Sequence, residues 1–279
     1  MTCKTILVQI NDEHRADWLL QTAVGLARRF GAHLIGLHLS PGLMYAPPLP
    51  GAGHILGQIK EHERQVCERI REIFEQRTRV EGLAAEMRFL NPRGREDLGA
   101  LVLQHVRTAD LIIASQAEPA RQADSFLDFP ERLAMESGRP VLMVPLGGVS
   151  GEIGRRVLIA WNGSREAARA TFDALPLLKE AQKVIVLGIE QVRAPGDAEP
   201  LPDTAIGASL ARHGINVTVK TASTGASSVG QEIIAQLAEE GADLLVMGAY
   251  GHTRFRELVF GGATRHITRH LTVPTLLSH

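Results

Sequence analysis

Arg156-Val-Leu-Ile-Ala-Trp161, followed at once by Asn162-Gly163-Ser164, decides the architecture, because the same arrangement stands near the start of the chain as Thr5-Ile-Leu-Val-Gln-Ile10 followed by Asn11-Asp12. Each is a short run rich in β-branched residues closed by turn formers, the pattern of a buried strand. Downstream, Ala16 to Phe30 and Arg165 to Lys179 carry apolar residues at helical spacing, with Ser164 as an N-cap and Pro176 ending the second helix early. Working outward from these two strand–helix units, the halves continue to match element by element.

Second strands are read at Ala32 to Leu39 and Gln182 to Ile189, each entering a loop rich in proline and glycine. The first half then has a long charged helix, Ile55 to Thr78, with Ile59, Val66, Ile70, Ile73 and Phe74 on the side expected to cover the sheet, where the second half has only Thr204 to Arg212. Third strands (Glu86 to Leu90, Asn216 to Lys220) and third helices (Arg95 to Arg107, Ser228 to Glu240) follow. The continuous apolar fourth strands, Asp110 to Ala114 and Asp243 to Met247, suit parallel strands covered on both faces. Fifth strands, Arg139 to Val144 and Val273 to Leu277, each have proline near the start, where a missing N–H is tolerated. Strands alternating with helices predict an α/β chain: two tandem five-stranded parallel-sheet, Rossmann-like domains with helices on both faces, over residues 1–147 and 152–279, joined at the glycine-rich Leu146 to Gly151.

Composition narrows the function classes. With 44% hydrophobic and 22% charged residues the chain has the material for a large core. A formal charge of -1 gives no net field toward nucleic acid or an anionic membrane, and 4% aromatic content is too low for base-stacking platforms. Neither nucleic acid nor membrane is expected as a partner, and no stretch approaches the roughly 20 apolar residues that span a bilayer. Cys3 and Cys67 are too few and too far apart for a disulfide framework, and the first residues lack a signal-peptide pattern, so a cytoplasmic location is expected.

In open parallel sheets ligands bind beyond the carboxyl ends of the strands where strand order reverses. After the fourth strand of the second half stand Gly248-Ala-Tyr-Gly251, nine further residues, and Gly261-Gly262-Ala263-Thr264 opening a helix through Arg265 to Leu271. Glycines let the backbone approach an anion, and the N–H groups that open a helix point at it with the positive end of the dipole. The alternative is that these glycines serve only as turn residues.

The pattern Gly248-x-x-Gly251-x(9)-Gly261 resembles the nucleotide signature of the universal stress protein family, and the tandem halves look like its two-domain members, over the whole chain. The resemblance implies an adenine nucleotide α-hydrolase-like fold and a stress-response or regulatory protein that binds ATP or ADP, with or without Mg2+, in its second domain. It places Asn162 at the base or ribose end, Ala160 and Ile189 in the base pocket, Met247 beside it, and Gly248, Gly251, Gly261, Gly262, Ala263 and Thr264 around the phosphates. Two positions depart from the family: Gly262 stands where serine or threonine is usual, and Asn162 where aspartate is usual. The resemblance also implies that the fifth strands pair, here within the chain; a homodimer through exposed edge strands stays open.

The first half lacks both glycines after its fourth strand, which runs into Ser115-Gln-Ala-Glu118-Pro119, and carries acidic residues in Asp124 to Pro130, so no nucleotide is expected there. His266 and His270 share a helix face, but no Cys or acidic residue stands near them at ligand spacing, and surface histidines are the commoner reading. His252, Arg254 and Arg256 could help neutralise phosphates or form a solvated basic loop. Ser164, Ser227 and Ser228 lack a His and a carboxylate at triad spacing, and no catalytic residue is identified. Binding without turnover is therefore the leading expectation; a slow ATPase and an interaction protein with a pocket for another ligand are the alternatives.

Overall fold

A computed structural model describes residues 3–40, 53–92, 97–118, 130–149, 151–190, 203–225, 227–250 and 262–279. The contacts divide the chain into an N-terminal unit, Thr2–Arg139 with Leu146–Gly148, and a C-terminal unit, Pro140–Pro145 with Val149–His279.

The N-terminal unit runs β1 (Thr5–Gln9), α1 (Glu13–Phe30), β2 (His33–Leu39), α2 (Gly53–Val80), β3 (Ala85–Leu90), α3 (Leu98–Val106), β4 (Leu111–Ser115) and α4 (Pro130–Glu136). Its sheet is parallel in the order β3-β2-β1-β4, with Val8 opposite both Gly36 and Ile113. Ile6, Leu7, Val8, Ile112 and Ile113 are all fully buried, as strands covered on both faces require. Each such side chain contributes about 1.5–3 kcal/mol of burial free energy. Asp12 caps α1 by accepting from His14 N, and Gly31 ends it at φ 57, ψ 44, a left-handed conformation that suits glycine.

The long charged helix departs from its expected role. Only Ile70, Phe74 and Thr78 of α2 are buried, while Ile55 is 57% and Ile59 36% exposed. Its apolar side therefore covers the core along its C-terminal turns alone, and the N-terminal turns stand in solvent.

The C-terminal unit takes β5 (Val141–Val144) and continues through β6 (Arg156–Trp161), α5 (Arg165–Asp173), α6 (Leu175–Leu178), β7 (Lys183–Glu190), α7 (Asp203–Arg212), β8 (Val217–Ser223), α8 (Val229–Glu240), β9 (Leu244–Gly248), α9 (Gly262–Arg269) and β10 (Thr275–Ser278). Its strand order is β5-β10-β9-β6-β7-β8. All pairs are parallel except β5 with β10, which are antiparallel with Leu142 opposite Leu276. Pro176 acts as read: α5 stops at Asp173 and the proline sits in the first turn of α6, where it needs no N–H partner.

The chain leaves β6 toward β7 on one side and returns to β9 on the other, so the order reverses between β6 and β9. That reversal opens a crevice beyond their carboxyl ends. Outer strand β8, by contrast, alternates exposed and half-buried residues, as an edge strand should.

Candidate functional site

A cavity of about 320 Å³ lies at this reversal, entirely within the C-terminal unit. Ala160 and Asn162 reach it from the end of β6, Ile189 from β7, Met247 and Gly248 from β9, and Gly262, Ala263 and Thr264 from the start of α9. Every described residue picked out from the sequence as nucleotide-binding thus lines one space; Gly251 and Gly261 lie outside the described residues, as do His252, Arg254 and Arg256. Leu187 and Ile233 add to the apolar wall, and Trp161 stands half-buried at its edge.

Three helices begin at this cavity: α5, α8 and α9. The first two already satisfy first-turn amides with their own caps. Ser164 Oγ accepts from Ala167 N at 3.1 Å, and Ser228 forms a capping box, its Oγ accepting from Gln231 N at 3.3 Å while Gln231 Oε1 accepts from Ser228 N at 2.9 Å. The third, α9, opens with Gly262 and Ala263, which bring no bulky side chain to the entrance. The opening amides of a helix and the positive end of its dipole are suited to an anion.

The two glycines differ in why they are glycine. A Cβ on Gly248 would lie 2.6 Å from both Ala167 N and the Glu166 carbonyl carbon, so the first turn of α5 packs directly on this position. The close approach of this helix excludes any side chain there. Among the described residues, a Cβ on Gly262 would meet nothing within 4 Å, so none of them sterically explains the departure from serine or threonine.

Asn162 Oδ1 accepts from Ser164 N at 3.1 Å, an Asx turn leading into α5. Because the backbone partner is a donor, the side-chain oxygen must face it. The remaining polar group of Asn162 is therefore the Nδ2 amide, a donor, where an aspartate would present a second acceptor. Thr264 is buried, and its Oγ1 accepts from Tyr250 N at 3.4 Å; Tyr250 itself holds φ 54 at the point where the chain leaves β9. A non-glycine residue in that region is uncommon and marks a constrained turn beside the site.

Sequence reading missed Glu166, whose side chain is 5% exposed and lines the cavity. Burial works to raise its pKa, but hydrogen bonds from Arg165, its own amide and the Ser164 hydroxyl, with the Arg165 charge, outweigh burial and hold the carboxyl below its ordinary value. It is ionised at neutral pH.

The same corner of the N-terminal unit is built differently. By the alignment of the halves, Arg15 stands where Glu166 stands and Ser115 where Gly248 stands. Arg15 is buried, with Nη1 donating to Ser115 Oγ at 3.2 Å and to Gln116 O at 3.5 Å, and Nη2 donating to Glu118 Oε2 at 2.9 Å. The acidic stretch expected to face this corner lies outside the described residues apart from Pro130, which opens α4.

On α9, the His266 and His270 rings stack with centroids 4.5 Å apart, and His270 Nδ1 contacts His266 O at 2.9 Å. Among the described residues no group of three or more His, Cys, Asp or Glu could hold a metal ion, and no helix is long and apolar enough to cross a membrane.

Residues 154–279 match the family model of the universal stress protein family, a span that contains every lining residue of the cavity. In its second half, the chain is thus similar to the universal stress protein family. A universal stress protein of Synechocystis is 45% identical over 47 residues, which make up 16% of this chain and 16% of that relative. A solved universal stress protein from Archaeoglobus fulgidus superposes with a TM-score of 0.70 at 17% identity, covering 98% of this chain and 95% of that one. A functionally unknown protein from Pseudomonas aeruginosa superposes at a TM-score of 0.58 and 14% identity over 99% of this chain and 92% of that one. At these identities the superpositions establish the Rossmann-like universal stress protein fold along the whole chain.

Proposed function

We propose that the C-terminal universal stress protein domain, taken as residues 152–279, binds an adenine nucleotide, ATP or ADP with or without Mg2+, in the cavity between β6 and β9. Through that binding the chain acts as a cytoplasmic stress-response or regulatory protein. The first domain, residues 1–147, carries no nucleotide and serves as the second domain's partner within the chain. The observation that carries this reading is the convergence of Ala160, Asn162, Ile189, Met247, Gly248, Gly262, Ala263 and Thr264 on one crevice. An apolar wall for a base and the opening amides of α9 for an anion stand in the same space.

The test is calorimetric titration of the full chain with ATP and ADP, with and without Mg2+, beside mass spectrometry of any ligand that copurifies from cells. Saturable binding at one site per chain is expected. Heats indistinguishable from dilution for both nucleotides, together with a different copurified ligand, would overturn the reading.

A further inference from the structure

Glu166 is an ionised carboxylate buried in the wall of the cavity that has just been assigned to a nucleotide. Its Cβ lies 2.8 Å from where a Cβ on Gly248 would be, so it touches the glycine at which β9 turns toward the anion-binding side of the site. The partner of its charge, Arg165, donates to it through Nε from a side chain that is 81% exposed, so water weakens the neutralisation of the buried carboxylate. The α5 amides near it are taken up by Ser164 Oγ and by the carboxylate itself. Negative charge on a ligand therefore meets the favourable end of α9 and an unfavourable carboxylate in one small space.

The N-terminal unit shows what this position does when its charge is reversed. Arg15, the counterpart of Glu166, draws in the chain's own Glu118 carboxylate at 2.9 Å. At this place, then, a side chain reaches the segment that leaves the fourth strand.

We propose that Glu166 is a specificity-determining residue that limits the charge of the bound nucleotide, so that the cavity takes AMP and ADP ahead of ATP. The proposal rests on the nucleotide reading above and narrows it. Each added phosphate raises the repulsion from a fixed charge in a partly desolvated site, where such interactions exceed their value in water. Asn162 does not add to this repulsion, since its amide is neutral.

The test is equilibrium binding of AMP, ADP and ATP to the full-length wild-type chain and to Glu166→Gln, all without divalent cation and at fixed ionic strength. Wild-type affinity is expected to fall from AMP to ATP by about tenfold or more, and Glu166→Gln to compress that ratio to about threefold or less, chiefly by tightening ATP. Glu166→Ala is run alongside, with circular dichroism to verify folding; the wild-type ranking needs no variant at all. ATP binding to wild type as tightly as AMP, or an unchanged ratio in both variants, overturns the charge limit and leaves the nucleotide site standing. ATP binding only to Glu166→Gln supports it. Failure of all three nucleotides to bind any of the chains, both here and when Mg2+ is added, overturns this proposal and the nucleotide reading together.

Discussion

Arg15 and Glu118, 103 residues apart in sequence, meet through Nη2 and Oε2 at 2.9 Å and fix the loop leaving β4 to the first turn of α1. The arginine side chain is 8% exposed and the glutamate 32%, so the pair is more buried at its positive end.

Removing the carboxylate is expected to cost more than removing both charges. Glu118→Ala takes from the buried Arg15 guanidinium the carboxylate that its Nη2 contacts and should destabilise the chain by about 1–3 kcal/mol. Arg15→Met with Glu118→Gln should lie closer to wild type, because apolar burial replaces the lost pair. Urea denaturation of the three proteins decides it: equal midpoints for Glu118→Ala and wild type would mean that the pair contributes nothing.

Gly248→Ala is expected to lower stability by about 1–3 kcal/mol, since the new methyl group would sit 2.6 Å from backbone atoms of α5 that cannot swing aside. Shifting α5 also moves Glu166 and Ala167 in the cavity wall, so ligand binding should weaken further than the fold does. A thermal melt coupled with nucleotide titration would refute this if the variant matched wild type in both.

The opposite outcome is expected at Gly262. No described residue crowds that position, and serine is a better helix former than glycine by about 0.5 kcal/mol, so Gly262→Ser should leave the fold intact or slightly firmer. Its hydroxyl would add a donor at the mouth of α9 and is expected to tighten nucleotide binding several-fold. A drop of several degrees in melting temperature, or weaker binding, would contradict this.

Asp97 caps α3 by accepting from Gly99 N at 2.9 Å and Ala100 N at 3.2 Å, and takes both terminal nitrogens of Arg132 at 2.7 and 2.8 Å. Arg132 above all, and then the Ala100 amide, hold its carboxyl well below the usual carboxylate range. A folded pKa below the unfolded value of about 4 means that the contribution is fully present above that pH and is lost as pH falls through it toward the folded pKa. Asp97→Asn should therefore flatten the acid side of the stability profile below about pH 4, and Asp97→Ala should cost about 1 kcal/mol near neutrality. Salt weakens the ion-pair part because Asp97 is 56% exposed. Identical acid-denaturation curves for wild type and Asp97→Asn would dismiss this account.

The strands were the most legible part of the chain, because a strand buried on both faces must be apolar throughout, and the repeat supplied each assignment twice. Trp161 ends β6 where the alignment ends it, and Asp173 ends α5 ahead of Pro176. The crevice was legible from order alone, since loops after the first and fourth strands had to converge. Glu166 was not: an acidic residue in a first helical turn reads as a complement to the helix dipole, and only the folded structure places it in the cavity wall. Comparing Arg15 with Glu166 across the repeat would have exposed the charge reversal, a signal present in the sequence. The overreach of α2 beyond its core could not be read, because Ile55 and Ile59 keep the spacing of buried positions yet are exposed.

Strand β5 precedes the Gly147-Gly148 turn in sequence yet hydrogen-bonds to β10, with Val141 opposite Leu277 and Met143 opposite Thr275. Splitting the gene at that glycine seam would strand these residues on the wrong polypeptide and leave β10 as a bare, sticky margin prone to self-association. The workable cut therefore lies ahead of the seam: expressed alone, residues 149–279 should precipitate, whereas a piece that begins at Pro140 keeps β5 against β10 and should be the more soluble of the two.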